Sequence, residues 1–515
     1  MRDIVDCSLP SFVPADLRCE VVIIGSGCGG ATAARVLAEA GRDVVLLEEG
    51  GDFVGPERLT QRDLAMYDQL YAGRGARTTS DRSIAVQSGR VLGGGGVINA
   101  CDVVPVAPET WQLWQRRYGL TELSADAMRP FAAKALEDLG ANPIREDQLN
   151  RNNLLLRQGA QALGWRGEVM QHNRQDCKGL GSCLIGCPVG AKRNPRMVAI
   201  PKALTAGARI LTRARAIEIR GGGRPQKTVV VRTLDAKGYH PQATFTVQAK
   251  VVVVAANPVG TVQLLLASGI GNDWVGHFLS LQPQIPITAM MPEPVDAFLG
   301  IPQAYAVTEF EQHHPERGLS GFRIEPIFGT PGVIGSLVTA PGAEGKHLMA
   351  RMRHLAASLL LVPDESVGRI RRSWGSGKPI VDYAMTDEYR QRGRQAIAAA
   401  AKLYLSVGAE SVLLPTTAPL VLRSQKDLAK IEEAVTLAPT TLPLISAHQQ
   451  GGMRMAPTPE QGPCDPHGQV WGAPGVYVMD GSVFPSSSSS HTMAPILTMA
   501  HYLAGRLAAE WDKSL

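Results

Sequence analysis

Residues 21–24 (VVII) form an unbroken apolar run, and residues 44–47 (VVLL) form another. Short runs without polar alternation predict strands buried on both faces, as in a parallel sheet. Between them Ala33, Ala34, Val36, Leu37 and Ala40 recur at helical spacing and predict one helix with an apolar face. The pattern changes in residues 368–409. GRIRRSWGSGKPIVDYAM reads as strand, turn and strand, and an amphipathic helix follows from about Asp387. No window approaches the ~18 uninterrupted apolar residues of a membrane span. No internal repeat is visible, and the serine run at 486–490 is the one low-complexity tract.

Composition adds limits. The chain has 515 residues, 44% of them hydrophobic and 19% charged, as in ordinary soluble proteins. That length suggests about three domains and a core large enough to need no disulfides. Net charge is +5, and no long Lys/Arg block occurs, so no nucleic-acid partner is expected. The richest basic run, RIRR at 369–372, reads as a solvated face. The N-terminal stretch MRDIVDCSLPSFVPADLRCE has neither an apolar h-region nor a twin arginine. A cytoplasmic protein is expected, or one exported only through a partner subunit. Eight cysteines without a signal peptide suggest reduced thiols or metal ligands rather than a disulfide frame.

The first candidate chemistry lies between the two apolar runs. Gly25, Gly27 and Gly30 spell G-x-G-x-x-G directly after the first strand and before the helix, and the second strand ends on Glu48. In that order the glycines serve a tight turn, a close backbone approach to a pyrophosphate and helix–strand packing, with the helix N-terminus facing the anion. Glu48 stands where a carboxylate accepts hydrogen bonds from ribose hydroxyls. A second glycine-rich segment, GRVLGGGGVINA, spans residues 89–100. Four consecutive glycines resist regular structure. With apolar residues on both sides they suggest backbone lying against a flat ligand such as a flavin ring, rather than a flexible surface loop.

Here the sequence resembles the glucose–methanol–choline (GMC) oxidoreductase family. GRVLGGGGVIN is similar to its first signature, G-R-x-L-G-G-S-S-x-x-N, and VVVVAANPVGTVQLLLASGIG to its second, with Asn257 where serine or glycine is usual. ALTAGARILTRARAIEI resembles the strand passing the adenine, and DGSVFPSSSSSHTMAPILTMAHYLAGRL the C-terminal flavin-contacting segment. The resemblance implies an α/β fold, with a Rossmann-like FAD domain interleaved with an α+β substrate domain on an antiparallel sheet. FAD-binding segments would be 1–110, 190–280 and 440–515, and substrate-binding segments 111–189 and 281–439. It implies FAD contacts from Gly25, Gly27, Gly30, Glu48, Arg90, Gly93, Gly94, Asn99, Ala216 and Asp480. Gly95 and Gly96 replace the signature serines, so those hydroxyl contacts are missing. No histidine lies in residues 93–99, which implies non-covalent FAD.

The resemblance also implies a catalytic pair. His448, in ISAHQQGG, would be the base, and His491, after the serine run, its partner. Alcohol oxidation removes a hydroxyl proton as hydride leaves the carbon, so a base with pKa near working pH suits it, with a polar group holding the developing alkoxide. His467 and His501 read as a surface turn and a helix face.

Three cysteines are clustered as Cys177-x5-Cys183-x3-Cys187-Pro. Three readings stay open. One is a [3Fe–4S] cluster, since this spacing resembles the membrane-associated FAD glucose and sorbitol dehydrogenases of the family, where such a cluster carries electrons onward. Another is structural thiols, with or without one disulfide. The third is zinc with His172 as an off-spacing fourth ligand.

The expected function is oxidation of an alcohol to a carbonyl, with oxygen, a quinone or a redox partner protein as electron acceptor. Aromatics are only 5%, and SSSSSHTM is polar for a sterol site, so a polyol, sugar or amino-sugar hydroxyl is preferred. Aminoglycoside 6′-hydroxyl dehydrogenases of the family are a candidate, for which Glu309, Glu311 or Glu325 would meet a cationic substrate. The alternatives are a sterol or long-chain alcohol oxidase and a flavin-containing lyase.

Overall fold

The two apolar runs pair with each other. In the computed structural model Leu17–Ile24 lies parallel to Val44–Leu47, with Val21 opposite Val44 and Ile24 opposite Leu47. The structure describes residues 4–511 except 328, 338–341, 415 and 418. Parallel pairing continues outward, through Arg209–Thr212 to Val5–Asp6 on one side and to Pro241–Val254 on the other. Val476–Val478 also runs parallel to Pro241–Val254, and Lys227–Leu234 and Ala214–Arg220 complete the sheet antiparallel. Residues 21–24, 44–47 and 251–254 are buried throughout, because helices cover the sheet. Cys28–Glu39 packs between Pro195–Thr205 and Met493–Ala509. Leu17–Ile24 has parallel neighbours on both sides, which makes its C-terminal end the switch point where such sheets open a crevice.

The second sheet is antiparallel. Its order is Leu420–Leu422, Ser411–Leu414, Gln284–Met290, Leu355–Leu361, Arg323–Pro326, Tyr305–Val307 and Gly167–Val169. The helix Asp387–Ser406 backs it with Tyr389, Gly393, Ala396, Ile397, Ala400, Leu403 and Tyr404. These residues repeat at three and four positions, the spacing of one helix face. Thr386 caps it by accepting from Tyr389 N at 3.1 Å. The hairpin Arg369–Arg372 and Pro379–Asp382 forms as read, with Arg369, Arg371 and Arg372 exposed.

Two short strands cross the expected domain boundaries. Ile84–Val86 and Leu444–Ser446, read as parts of the FAD segments, pair with each other and join the antiparallel sheet through Ile445 opposite Gln284. Their neighbours in space, not their position in the chain, decide where they belong. This crossing carries His448, two residues past Leu444–Ser446, to the wall between the sheets. Among the described residues no helix is long and apolar enough to cross a membrane.

Candidate functional site

A cavity of about 1340 Å³ runs from the switch point to the antiparallel sheet. Gly25, Gly27, Glu48, Arg90, Gly94, Asn99, Ala216, Asp480, His448 and His491 line it. Gly30 and Gly93 stand behind that surface. The volume exceeds the ~300–1,000 Å³ usual for one small ligand, so a large cofactor and a substrate fit together.

The cofactor wall is built on backbone close to backbone. A Cβ added to Gly30 would lie 1.9 Å from Gly25 O, and one on Gly94 would lie 2.6 Å from Gly27 Cα. The two glycine-rich segments therefore meet face to face. Their four-glycine core is not wholly irregular: Gly95–Ile98 makes one helical turn, which the glycine count did not suggest. Ser26 ties the segments, donating its hydroxyl to Glu48 and accepting Gly93 N at 3.0 Å. Glu48 also accepts Gly50 N at 2.7 Å. Burial raises its pKa, opposed by these hydrogen bonds. Asp480 accepts Thr261 Oγ1 at 2.6 Å and Ser482 N at 2.8 Å, and burial raises its pKa too. Arg90 is turned to the rim, donating to Gly238 O at 2.6 Å with its guanidinium over Tyr239. Asn99 Oδ1 is buried without a partner. A carboxylate for ribose hydroxyls, a backbone cradle free of side chains and an orphaned acceptor fit FAD.

The opposite wall carries the histidines, with ring centroids 5.1 Å apart and planes at 70°. His448 Nδ1 lies 2.7 Å from Gln282 Oε1, whose amide orientation is fixed by Gln282 Nε2 donating to Ser489 O at 3.3 Å. The Gln282 oxygen favours a proton on Nδ1; in that tautomer the Nε2 lone pair is the basic site, and Gln284 Nε2 lies 3.5 Å from it. Gln284 Nε2 lies 3.1 Å from the same Nδ1. Burial first, and then the charge of His491, push the His448 pKa down to about 3, well below the value near working pH expected of the base. His491 differs. Burial works against its charge, but Glu325 and Asp102 outweigh that and raise its pKa. His491 Nε2 sits 3.0 and 2.9 Å from the Glu325 oxygens, while Nδ1 is 3.8 Å from Asp102 Oδ2. Glu325 in turn accepts Arg323 Nε at 2.6 Å and Gln303 Nε2 at 2.9 Å.

The sequence reading missed Gln282, Gln284, Gln303 and Asp102, and gave Glu325 another task. None of them stands in a recognisable spacing to the histidines. The acids offered to a cationic substrate are already paired: Glu325 with Arg323 and His491, Glu311 with Arg323, Glu309 with Arg166. Three hydroxyls of the serine run are engaged internally. Trp114 donates to Ser486 Oγ at 2.8 Å, Ser488 donates to Gln450 and Ser489 to the Val104 carbonyl, while the Ser487 and Ser490 hydroxyls are buried without a partner. None of residues 486–490 lines the cavity, so their polarity carries no information about the substrate. His501 is buried on its helix against Asp138, and His467 occupies a half-exposed turn.

The cysteines do not gather as one ligand set. Among the described residues, the potential metal-ligating atoms that lie in a group of three within 4.8 Å belong to Asp102, Glu325 and His491, not to Cys177, Cys183 and Cys187. His172, the fourth ligand of the zinc reading, is fully buried with Nε2 2.7 Å from Asp102. Cys183 Sγ lies 3.5 Å from Arg174 Nη2, and Cys177 Sγ accepts Gly179 N at 3.4 Å. Neither the zinc nor the iron–sulfur reading gains support from this arrangement.

Comparison with known proteins agrees with the fold. The GMC oxidoreductase family model matches residues 67–284 and 364–500, and a NAD(P)-binding Rossmann-like domain matches 23–81. An uncharacterised GMC-type oxidoreductase of Mycobacterium tuberculosis is 31% identical over 505 residues, covering 96% of this chain and 77% of that one. A long-chain-alcohol oxidase of Arabidopsis thaliana is 26% identical over 519 residues, covering 96% of this chain and 67% of that one. The crystal structure of pyridoxine 4-oxidase from Mesorbium loti superposes with a TM-score of 0.69 at 19% identity, covering 95% of this chain and 99% of that one.

Proposed function

Because this chain belongs to the GMC oxidoreductase family and is an FAD-dependent oxidoreductase, we propose that it oxidises an apolar alcohol to a carbonyl with His448 as base and His491 as its charged partner. The observation that carries this reading is the different setting of the two rings. His448 is held by amides and burial lowers its pKa, whereas His491 is held by carboxylates that raise its pKa. His448 Nε2 takes the hydroxyl proton. The protonated His491, whose Nδ1 is only loosely met by Asp102, stabilises the oxygen as it becomes negative. When bound, FAD supplies the two-electron acceptor for the hydride that leaves the alcohol carbon. Gly25, Gly27, Gly94, Glu48, Asn99, Ala216 and Asp480 would hold it, non-covalently. On this proposal the FAD domain comprises the parallel sheet and its helices, and the substrate domain the antiparallel sheet.

The substrate class follows from the far lining. Pro286, Ile287, Ile327, Ile334 and Leu359 give an apolar surface, with Thr288 and Ser358 as scattered hydroxyls. That surface favours an alkyl or ring-hydrocarbon alcohol over the polyol, sugar or amino-sugar hydroxyl preferred from sequence. The relative named a long-chain-alcohol oxidase supports the same class, with oxygen as acceptor. In that case the alcohol loses two hydrogens and oxygen leaves as hydrogen peroxide.

The test is anaerobic bleaching of the flavin band by a panel of n-alcohols, sterols, polyols and amino sugars. Each buried methylene is worth about 0.8 kcal/mol, so the reduction efficiency should rise about fourfold per carbon until the cavity is filled. Fastest bleaching by a polyol or an amino sugar would overturn the apolar assignment. No bleaching by any alcohol would overturn the reaction.

A further inference from the structure

The basic run at residues 369–372 belongs to a hairpin that the reaction above does not use, and that hairpin ends in a solvent-exposed tryptophan. Residues 369–382 read RIRRSWGSGKPIVD, with four cations, one carboxylate and one aromatic ring. Arg369–Arg372 and Pro379–Asp382 pair antiparallel, and Ser373 N donates to Lys378 O at 2.8 Å to close the turn that carries Trp374. The relative exposure of Trp374 is 105%, whereas every other aromatic side chain among the described residues is buried or half-buried. The base of the hairpin is fixed. Ile370 and Val381 are buried, Ile370 N donates to Gly276 O and Ser80 N to Val381 O, each at 2.8 Å, and Gln263 Nε2 donates to Gly377 O at 3.3 Å. The fold therefore holds the ring out in water from an anchored support. The one carboxylate, Asp382, is taken by Arg371 at 2.5 Å and by Ser80 Oγ at 2.8 Å. Arg369, Arg372 and Lys378 are exposed and make no ion pair among the described residues.

We infer that this hairpin docks the protein on an anionic lipid bilayer, with Trp374 in the interfacial layer and the unpaired cations beside it at the headgroups. The chemistry of the tip selects that partner. One tryptophan ring buries about 150–250 Å², whereas a stable protein–protein contact takes about 800 Å² from each partner. A single ring among separated charges falls short of such a surface. A bilayer asks for no matched surface. The amphipathic tryptophan ring is at home at headgroup level, and lysine or arginine near an anionic leaflet is attracted to it. The excess of cations over carboxylate in residues 369–382 gives the sign of the lipid.

The place of the hairpin gives the contact a consequence. Arg372, Ser376, Gly377 and Lys378 line the cavity as well as the turn. Docking by this tip brings that part of the cavity rim to the lipid surface. The attachment is peripheral and reversible, because it uses one ring and a few charges and no spanning helix. Its two contributions respond differently to salt. Charges in water are screened beyond about 8 Å at physiological ionic strength, so the cationic part weakens as salt rises, while burial of the ring does not depend on it.

The inference stands apart from the alcohol reading, because its readout is lipid binding by the FAD-loaded full chain. The protein is sedimented with phosphatidylcholine vesicles that contain or lack phosphatidylserine, at low and at high salt. Association with the phosphatidylserine vesicles is expected, weakening as salt rises and about tenfold or more weaker on phosphatidylcholine alone. Trp374→Ser changes only a solvated side chain, so it should keep its flavin and bind these vesicles about tenfold less tightly. Arg369→Ser and Lys378→Ser should each weaken binding about fivefold. Brominated lipid should quench part of the tryptophan emission of the wild type and none in Trp374→Ser. The wild-type sedimentation decides even where a variant fails to fold. No association with any vesicle, equal association with neutral and anionic vesicles, undiminished binding by Trp374→Ser, or a dimer in solution cross-linked through the hairpin would each overturn the proposal.

Discussion

The two walls of the cavity hold their ligands by different means. On the cofactor wall the atoms that matter are backbone, brought close by glycines a few residues apart, as at Gly25 and Gly30. On the opposite wall they are side chains, and each histidine lies 166 residues from the partner that orients it, Gln282 for His448 and Glu325 for His491. The difference separates failure by exclusion from failure by degree. One added carbon at Gly30 or Gly94 has nowhere to go, whereas a lost contact on the histidine wall changes a charge or a tautomer and leaves the shape standing.

The largest expected effect therefore comes from Gly30→Ala. Its methyl would sit 1.9 Å from Gly25 O and 3.1 Å from Ala255 Cβ, inside a helix–strand contact that cannot spread locally. Overpacking of this kind costs about 1–3 kcal/mol or more. The variant should purify with little or no flavin, as read from the 450 nm absorbance per chain. Full occupancy would break the distinction between the walls.

His448→Ala should show the opposite phenotype. FAD stays bound, while anaerobic reduction by alcohol slows by roughly 10²–10⁴-fold, the usual contribution of a positioned base. Loss of flavin in this variant would mean that the histidine wall also supports the cofactor.

The pH profile sharpens the comparison within the histidine wall. With its pKa near 3, His448 remains neutral through the range where an ordinary histidine charges. Reduction rates should then show no acid limb around pH 6.5. His491 is raised, so its protonated form persists to higher pH and is lost as pH rises through the raised value, giving an alkaline limb. Glu325→Gln keeps the shape but removes the largest of the charges that raise the His491 pKa, so the alkaline limb should move to lower pH and the rate at neutral pH should fall. An unmoved limb would remove Glu325 from the control of His491.

What could be read from the chain divides along the same line. The turn at residues 25–30, the acid at 48 and the helix from Asp387 are local patterns, and the structure forms each where the residues indicated. His448 and His491 also stand together, as the resemblance implied. The partners of the histidines were not legible, because Gln282, Asp102 and Glu325 reach them only through antiparallel pairing and a strand exchange between sheets. The use of the serines was not legible for a related reason. Ser486, Ser488 and Ser489 engage Trp114, Gln450 and the Val104 carbonyl, and nothing in five consecutive serines reveals which of them do so. The contacts of the cysteines were hidden in the same way: Cys183 Sγ is met by Arg174 Nη2 and Cys177 Sγ by Gly179 N, which the spacing of the cluster does not show.

The smallest effect is expected at Gln282, which holds His448 without touching the cofactor wall. Gln282→Leu removes the acceptor of the Nδ1 proton. A neutral hydrogen bond contributes about 0.5–1.5 kcal/mol net, so reduction should slow by roughly 2- to 12-fold with the pH profile unchanged in form. Gln282→Glu is the sharper variant. A carboxylate 2.7 Å from Nδ1 favours the imidazolium and raises the His448 pKa from its present value near 3. A base with a raised pKa becomes protonated as pH falls through it, so this variant should acquire the acid limb that the native protein lacks. Its rate at alkaline pH should stay within the range of the leucine variant. Equal pH profiles for the two variants would mean that Gln282 packs against His448 without setting its proton.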